Sequence, residues 1–397
     1  MIIILFDSFS RFSLFPLTLT RPVAALRVGI LTIAEKWQKH LNAPVSYYTD
    51  AYLQEKFPRK YGQENIFIDG SICPDDQLIQ AISCLLNGQA LYSKNTLIAL
   101  KLSEAEARDF NLSNLSVYQA VEYLGYCTQL VFPEDIFKFN DAQIRADFNL
   151  LTKDRASAKL SATNQILGND IFIEAGVWAE CSTFNTLDGP IYIGKNTQIM
   201  EGSHIRGSFA LCEGAQVKMG AKIYGMTTIG PNCKVGGEIN NAVLIGYSSK
   251  GHEGFLGNSV IGEWCNIGAD SNTSNLKNNY NEVRLWDYDK AYFRKTGLQF
   301  CGLIMADHAK CAINTMFNTG TVVGVGANVF GANFPPNFVP DFSWGGGAEG
   351  FVTYKLDKLF ETAEKVFERR GKVFGAQDKA ILTHVFSLTE RSRHVLI

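Results

Sequence analysis

Of the six histidines in the 397 residues, His252 has the setting best suited to chemistry. It lies in Lys250-Gly251-His252-Glu253-Gly254-Phe255-Leu256-Gly257-Asn258, a polar, glycine-flanked stretch. An imidazole titrates near neutrality, so it is the side chain best able to take a proton from an attacking group at physiological pH. The plain alternative is a loop histidine satisfied by Glu253. A three-histidine metal centre would have to assemble His204, His252 and His308, which are far apart and include no pair at i, i+5. Cys73, Cys84, Cys127, Cys181, Cys212, Cys233, Cys265, Cys301 and Cys311 are scattered without a C-x-x-C pair. The zinc and disulfide readings therefore fail, and small apolar fillers in a reducing cytoplasm fit best.

The element that must carry His252 is announced by an uninterrupted period. Ile193, Ile199, Ile205, Leu211, Val217, Ile223, Ile229 and Val235 fall six residues apart. Neither a helix nor a flat strand gives that spacing; a hexapeptide repeat does, and it predicts a parallel β-helix. Each aliphatic side chain points into a three-sided prism whose coils stack at about the ordinary strand spacing of 4.8 Å. From Ile171 the signal builds. After Val235 it shifts phase by two residues and continues through Val243, Phe255, Ile261 and Ile267, which predicts a loop or bulge near Asn240. The run 271–296 breaks the period and reads as a protruding loop. Coils resume from Leu303 to Gly331, and Pro335-Pro336 and Gly345-Gly346-Gly347 end them.

The flanking segments differ in character. Residues 1–155 alternate short apolar runs with helical patterns, as in an α/β layer fold. Strands are expected at 1–6, 45–48, 65–68 and 97–100, and helices at 30–41, 75–86, 103–109 and 116–123, with 133–155 as a junction. A solenoid domain then spans 156–350. A helical appendage covers 351–397, with Leu356, Phe360, Ala363 and Phe367 as its first apolar stripe, and is expected to pack on the last coil or on a neighbouring subunit. The balance of 37 Lys+Arg against 39 Asp+Glu gives no basic stripe and argues against nucleic acid. No secretion signal or membrane span is evident, so a cytoplasmic protein is expected.

The stretch from Lys250 to Ala269 resembles the acetyltransferase half of the bacterial bifunctional enzymes that make UDP-N-acetylglucosamine. The likeness rests on Lys250-Gly251-His252, Leu256-Gly257 and, one hexapeptide later, Asn266-Ile267-Gly268-Ala269, with no gap between them. It implies a left-handed β-helix and a homotrimer, with acetyl-CoA between neighbouring solenoids near 318–329. It also implies His252 as general base, the backbone N–H of Ala269 as oxyanion donor and Asn266 as a sugar ligand. Three positions depart from the family. Asn240 stands where it has Lys, Lys222 where it has Arg, and Phe255 where it has Tyr. Phosphate affinity must then come from Lys222, Lys250 or Lys277, and the acceptor could differ from glucosamine-1-phosphate. Asn275, or else Asn279-Tyr280, matches the family's Asn-Tyr element.

The N-terminal half lacks the glycine-rich loop of ordinary sugar-phosphate nucleotidyltransferases. Its run Leu14-Phe15-Pro16-Leu17-Thr18-Leu19-Thr20-Arg21-Pro22, then Leu26 to Ile33 and Glu35-Lys36-Trp37, resembles the divergent nucleotidyltransferase-like domain of Bacteroidetes-type bifunctional enzymes. That likeness implies Arg21 and Lys36 as phosphate-neutralising groups, Asp69 as a Mg²⁺ ligand and UTP as a substrate. A second reading keeps the nucleotidyltransferase-like body and makes the β-helix a trimerising or regulatory module without acyl transfer.

Overall fold

The computed structural model describes residues 1–393. It contains the α/β domain, parallel β-helix of about ten turns and C-terminal helices expected from the sequence. The chain divides into two compact units. One comprises Met1–Leu14, Thr20–Leu26 and Leu31–Phe132; the other comprises Phe15–Leu19, Arg27–Ile30 and the chain from Pro133 onward.

The first unit is built on a six-stranded sheet. Its strands are β1 (Ile2–Phe6), β2 (Val45–Tyr48), β3 (Glu64–Asp69), β4 (Gln89–Ser93), β5 (Thr96–Ser103) and β6 (Gln119–Glu122), in the order β2-β1-β3-β5-β4-β6. β1 runs parallel to β2 and β3, and β5 antiparallel to β3 and β4. Ile3, Ile4, Leu5 and Phe6 are all buried, because the central strand is covered on both faces. The helix expected at 116–123 is instead the short strand β6, which pairs in parallel with β4. Its residues are exposed or half-buried, so ladder hydrogen bonds rather than apolar periodicity define it.

In the second unit the three faces of the prism are formed by short strands. Thr183–Asn185, His204–Arg206 and Lys222–Ile223 lie on the first face, Ile191–Ile193, Phe209–Leu211 and Thr227–Ile229 on the second, and Gln198–Ile199, Gln216–Val217 and Lys234–Val235 on the third. The register sets Ile193 on Leu211 and Leu211 on Ile229, and Ile199 on Val217 and Val217 on Val235. All eight repeat aliphatics belong to one buried cluster.

The phase shift has a specific origin. Glu238–Gly246 and Phe255–Glu263 are continuous nine-residue strands that run through the corner between the first and second faces. Asn241 and Asn258 turn that corner in the left-handed region, at φ 49° and 45°, which asparagine tolerates better than most residues. In this register Leu244 stacks on Ile229, and Leu256 on Ile239. The inward residues are therefore Leu244 and Leu256, not Val243 and Phe255. Val243 is buried on the outer side of the second face, and Phe255 occupies the outward register beside Glu238.

That outer side is covered by a helix, Asp135–Thr152, across the stretch expected to be a junction. Its polar residues are buried for a purpose. Asn140 accepts from Gly29 N (2.8 Å) and donates to Met226 O (2.8 Å), and Asp147 accepts from Ile30 N (2.8 Å). The run 271–296 contains an antiparallel hairpin, Arg284–Asp287 with Tyr292–Lys295. Arg294 of the hairpin donates to both carboxylate oxygens of Glu134, at 2.6 and 2.5 Å, both side chains being under 10% exposed.

The terminal helices Leu356–Glu368 and Ala376–Leu388 pack along the corner between the second and third faces and reach the last coil at Phe342. Phe367 stacks on Trp264 (3.7 Å between centroids) and on His308 (6.0 Å), and Phe386 meets Phe342 edge-on. His252 lies at another corner, between the third and first faces. Among the described residues no helix is long and apolar enough to cross a membrane.

Candidate functional site

His252 sits on the turn between Lys250, at the end of the third face, and Phe255, at the start of the first. Its imidazole is exposed and hydrogen-bonds no described residue. Ala269 holds the equivalent place on the next coil: the two corners are joined by the bond from Asp270 N to Glu253 O (3.0 Å). Ala269 is half-buried and its N–H makes no hydrogen bond within the described residues, whereas the neighbouring Gly268 N–H is committed to Cys311 O (3.2 Å). An unengaged base and an unengaged backbone donor thus lie on adjacent coils of one corner, about one strand spacing apart.

Other expected residues gather around this corner. Lys222 is exposed on the first face and reaches Glu253 at 3.5 Å, so a cation stands beside the histidine turn. Phe255 is half-buried, its N–H bonded to Asn272 Oδ1 (2.8 Å). Asn266 is exposed on the third face, stacked against Ser249 and Lys310. Lys250 does not join them. It occupies an inward repeat position in register with Val235, and its ammonium donates to backbone carbonyls inside the prism, out of reach of a phosphate. Asn240, in register with Gly257 on the first face, leaves the family's lysine position without a cation.

Asn275 and Lys277 belong to the next corner. The Asn275 amide donates to Asn258 Oδ1 (2.8 Å), extending the asparagine ladder of the long strands. Lys277 donates to Glu282 O (2.9 Å) and lines a cleft of ≈ 660 Å³ with Arg284, Trp286, Phe293, Asn318 and Asn337. Trp286 stacks on Phe338 there (4.4 Å between centroids, 12° between planes). The cleft joins the hairpin to the later coils, and the hairpin's aromatic and basic residues were missed by sequence reasoning. The alternation Arg284-Leu285-Trp286 and Tyr292-Phe293-Arg294 was the signal available.

In the first unit, Asp7, Asp50 and Asp69 follow or close the three parallel strands β1, β2 and β3. In α/β sheets ligands bind at such carboxyl ends. Arg11 organises the cluster: it donates to Asp7 (3.0 Å), Asp50 (2.9 Å), Tyr52 Oη (2.7 Å) and Arg21 O (3.0 Å). Asp7 also accepts from Val23 N (2.8 Å) and from the Thr49 hydroxyl. Arg21 is buried, as is Lys36 in the first turn of helix Ile33–Leu41, which Thr32 and Glu35 cap reciprocally. Asp7, Arg11 and Asp50 were not singled out from the sequence, though each acidic residue follows an apolar strand by one or two positions.

Asp69 is fully buried and accepts from Ser71 N (2.9 Å) and Ser71 Oγ (2.7 Å). Burial pushes its carboxyl up to about 6 against the bonds from Ser71. Burial also raises Asp7, in opposition to Arg11. Between the ordinary value of 3.8 and about 6, folded Asp69 holds a proton that the unfolded chain has released. Stability therefore falls as pH rises through that window, by about 3 kcal/mol at its upper end. Asp69→Asn is expected to raise the urea midpoint at pH 7 and to have little effect near pH 4. Equal destabilisation at both pH values would contradict this. Among the described residues no group of three or more His, Cys, Asp or Glu is arranged to hold a metal ion. Asp69 can offer one oxygen, Oδ2, engaged by Gln129 at 3.5 Å. Mg²⁺ characteristically takes one or two carboxylates and completes its shell from phosphates and water.

Residues 3–156 match the family model described as sugar nucleotidyl transferase. No curated protein matches the chain. Among solved structures the chain is similar to two point mutants of AntD, an N-acyltransferase from Bacillus cereus, in complex with dTDP and coenzyme A. One is 12% identical, covering 51% of this chain and 91% of that one with a TM-score of 0.24; the other is 14% identical, covering 52% and 89% with a TM-score of 0.22. It is also similar to an Arabidopsis UDP-N-acetylglucosamine acyltransferase, 14% identical, covering 59% and 94% with a TM-score of 0.20.

Proposed function

We propose that this protein is a two-site transferase whose solenoid N-acetylates an amino sugar 1-phosphate from acetyl-CoA and whose α/β unit couples the product to UTP. The acceptor that best suits the reading is glucosamine-1-phosphate, and the final product is then UDP-N-acetylglucosamine. The observation that carries it is the pairing of an unengaged imidazole with an unengaged backbone N–H on neighbouring coils of one corner.

His252 takes the proton as the substrate nitrogen attacks the thioester carbonyl. The carbonyl oxygen becomes an oxyanion, and the Ala269 N–H donates to it. Collapse of the tetrahedral intermediate re-forms C=O, breaks the C–S bond and expels coenzyme A thiolate, which takes a proton from the imidazolium. Lys222 and Asn266 flank the corner as ligands for phosphate and sugar. The donor lies along the later coils, in a homotrimer between neighbouring solenoids, with Lys277 and Arg284 supplying charge for its phosphates.

In the α/β unit, Arg21 and Lys36 neutralise the triphosphate, and Asp69 would hold a Mg²⁺, which would supply further positive charge to the phosphates. The match over residues 3–156 supports this half of the reading. The competing reading, a solenoid that only assembles subunits, differs in one cheap observable. Calorimetry with coenzyme A is expected to show saturable binding by the intact protein. No heat of binding up to millimolar ligand would favour the scaffold.

A further inference from the structure

The solenoid interior holds a charge at Lys250, where a hydrocarbon belongs. On the third face, Ile199, Val217, Val235, Lys250, Ile267, Cys311 and Val329 form a single inward column. Lys250 is 2% exposed. Its ammonium has three N–H bonds and gives each to a backbone carbonyl: Gly236 (3.0 Å), His252 (2.6 Å) and Glu253 (3.2 Å). A buried cation costs several kcal/mol even when paired, and an aliphatic residue would serve the column better.

The neighbouring corner explains what the charge does. The turn below is shortened to Gly236-Gly237 between inward Val235 and Ile239. Gly237, at φ +71°, lets the longer His252 turn settle against it: a Cβ there would lie 2.8 Å from His252 O. A short turn under a long one cannot offer backbone N–H groups in register. Among the described residues the Lys250 ammonium is the only donor to His252 O and to Gly236 O. Gly251 and Gly254 flank the turn and carry no side chain that could restrain it.

We propose that Lys250 is a positioning residue, an internal strut that fixes the backbone of the His252 turn and so aims the imidazole. The proposal rests on the acyl-transfer reading for its catalytic consequence but not for its structural one. Burial pulls Lys250 down to about 8, still protonated at neutral pH, so all three bonds are available. Lys250 thereby moves from one of three candidate sources of phosphate affinity to a support beneath the base.

Lys250→Met keeps volume and restores an apolar column while removing the donors. It is expected to fold, to lower kcat for acetyl transfer by roughly 10–100-fold, as small misplacements of a catalytic group do, and to leave KM for acetyl-CoA nearly unchanged. In a His252→Ala background it should cost nothing further. Amide exchange at Gly251 to Gly254 should accelerate in the variant. Wild-type kcat with unchanged exchange would overturn the proposal. If the wild-type protein transfers no acetyl group, the acyl reading fails but exchange still decides: faster exchange in the variant upholds the strut, and unaltered exchange removes it. If Lys250→Met does not fold, ¹⁵N-lysine NMR of the wild type decides instead. Slowly exchanging ammonium protons close to Gly251 and Glu253 support the strut, and rapid solvent exchange refutes it.

Discussion

Replacing His252 with alanine is expected to lower kcat for acetyl transfer by about a hundredfold to ten-thousandfold, the range for loss of a general base. The free amine attacks, and its nitrogen must give up a proton as the bond to the thioester carbon forms. Glu253, the carboxylate next to His252 in the chain, is drawn toward Lys222. Because the exposed imidazole bonds to nothing in the described structure, its removal leaves no buried group stranded. Stability should therefore stay within about 0.5 kcal/mol of wild type. KM for acetyl-CoA should change little, since the donor's charge is met elsewhere. Thiol release followed in steady state separates these quantities. A variant with near-wild-type kcat would remove His252 from the reaction.

Arg294→Ala is expected to have the largest effect on stability. It leaves Glu134 buried, 4% exposed, without the two donors that hold it, and breaking a buried pair in this way costs about 3–5 kcal/mol. For a unit of this size that is roughly a 6–20 °C fall in Tm. The double variant Glu134→Leu with Arg294→Met should recover most of the loss, because it strands no charge. A single variant melting within a degree or two of wild type would show that the pair contributes little. The bond also ties the hairpin to the start of helix Asp135–Thr152, so coenzyme A binding should weaken with it if the cleft under Trp286 takes part.

The period of six was legible because every coil must present one aliphatic side chain per face to the prism, and eight consecutive positions obeyed without interruption. It misplaced Val243 and Phe255 because two strands run through a corner there, and a period cannot reveal which residue is lost when a turn is removed. Had the phase been fixed on Leu256, Lys250 would have fallen six residues earlier, in an inward position. The assumption that a lysine belongs on the surface hid it. The helix at 135–152 escaped for a related reason. Asn140, Gln143 and Asp147 are buried on its packed side, and Asn140 and Asp147 bond backbone groups, so its inward stripe reads as polar. In the α/β unit β1, β2, β3 and β5 were evident from apolar runs while β4 and β6 were not, and the Asp7–Arg11–Asp50 cluster joins residues brought together only by the parallel pairing of β1 with β2. His252 and Ala269 were paired through the family resemblance and not through the period; the structure sets each two residues after an inward position of adjacent coils.

The most direct measurement is mass spectrometry of the sugar phosphate after incubating the intact protein with acetyl-CoA and glucosamine-1-phosphate. The account predicts a product heavier by one acetyl group, formed by the wild type and almost absent with His252→Ala. An unchanged sugar phosphate with the wild type, or equal product from both proteins, would contradict it.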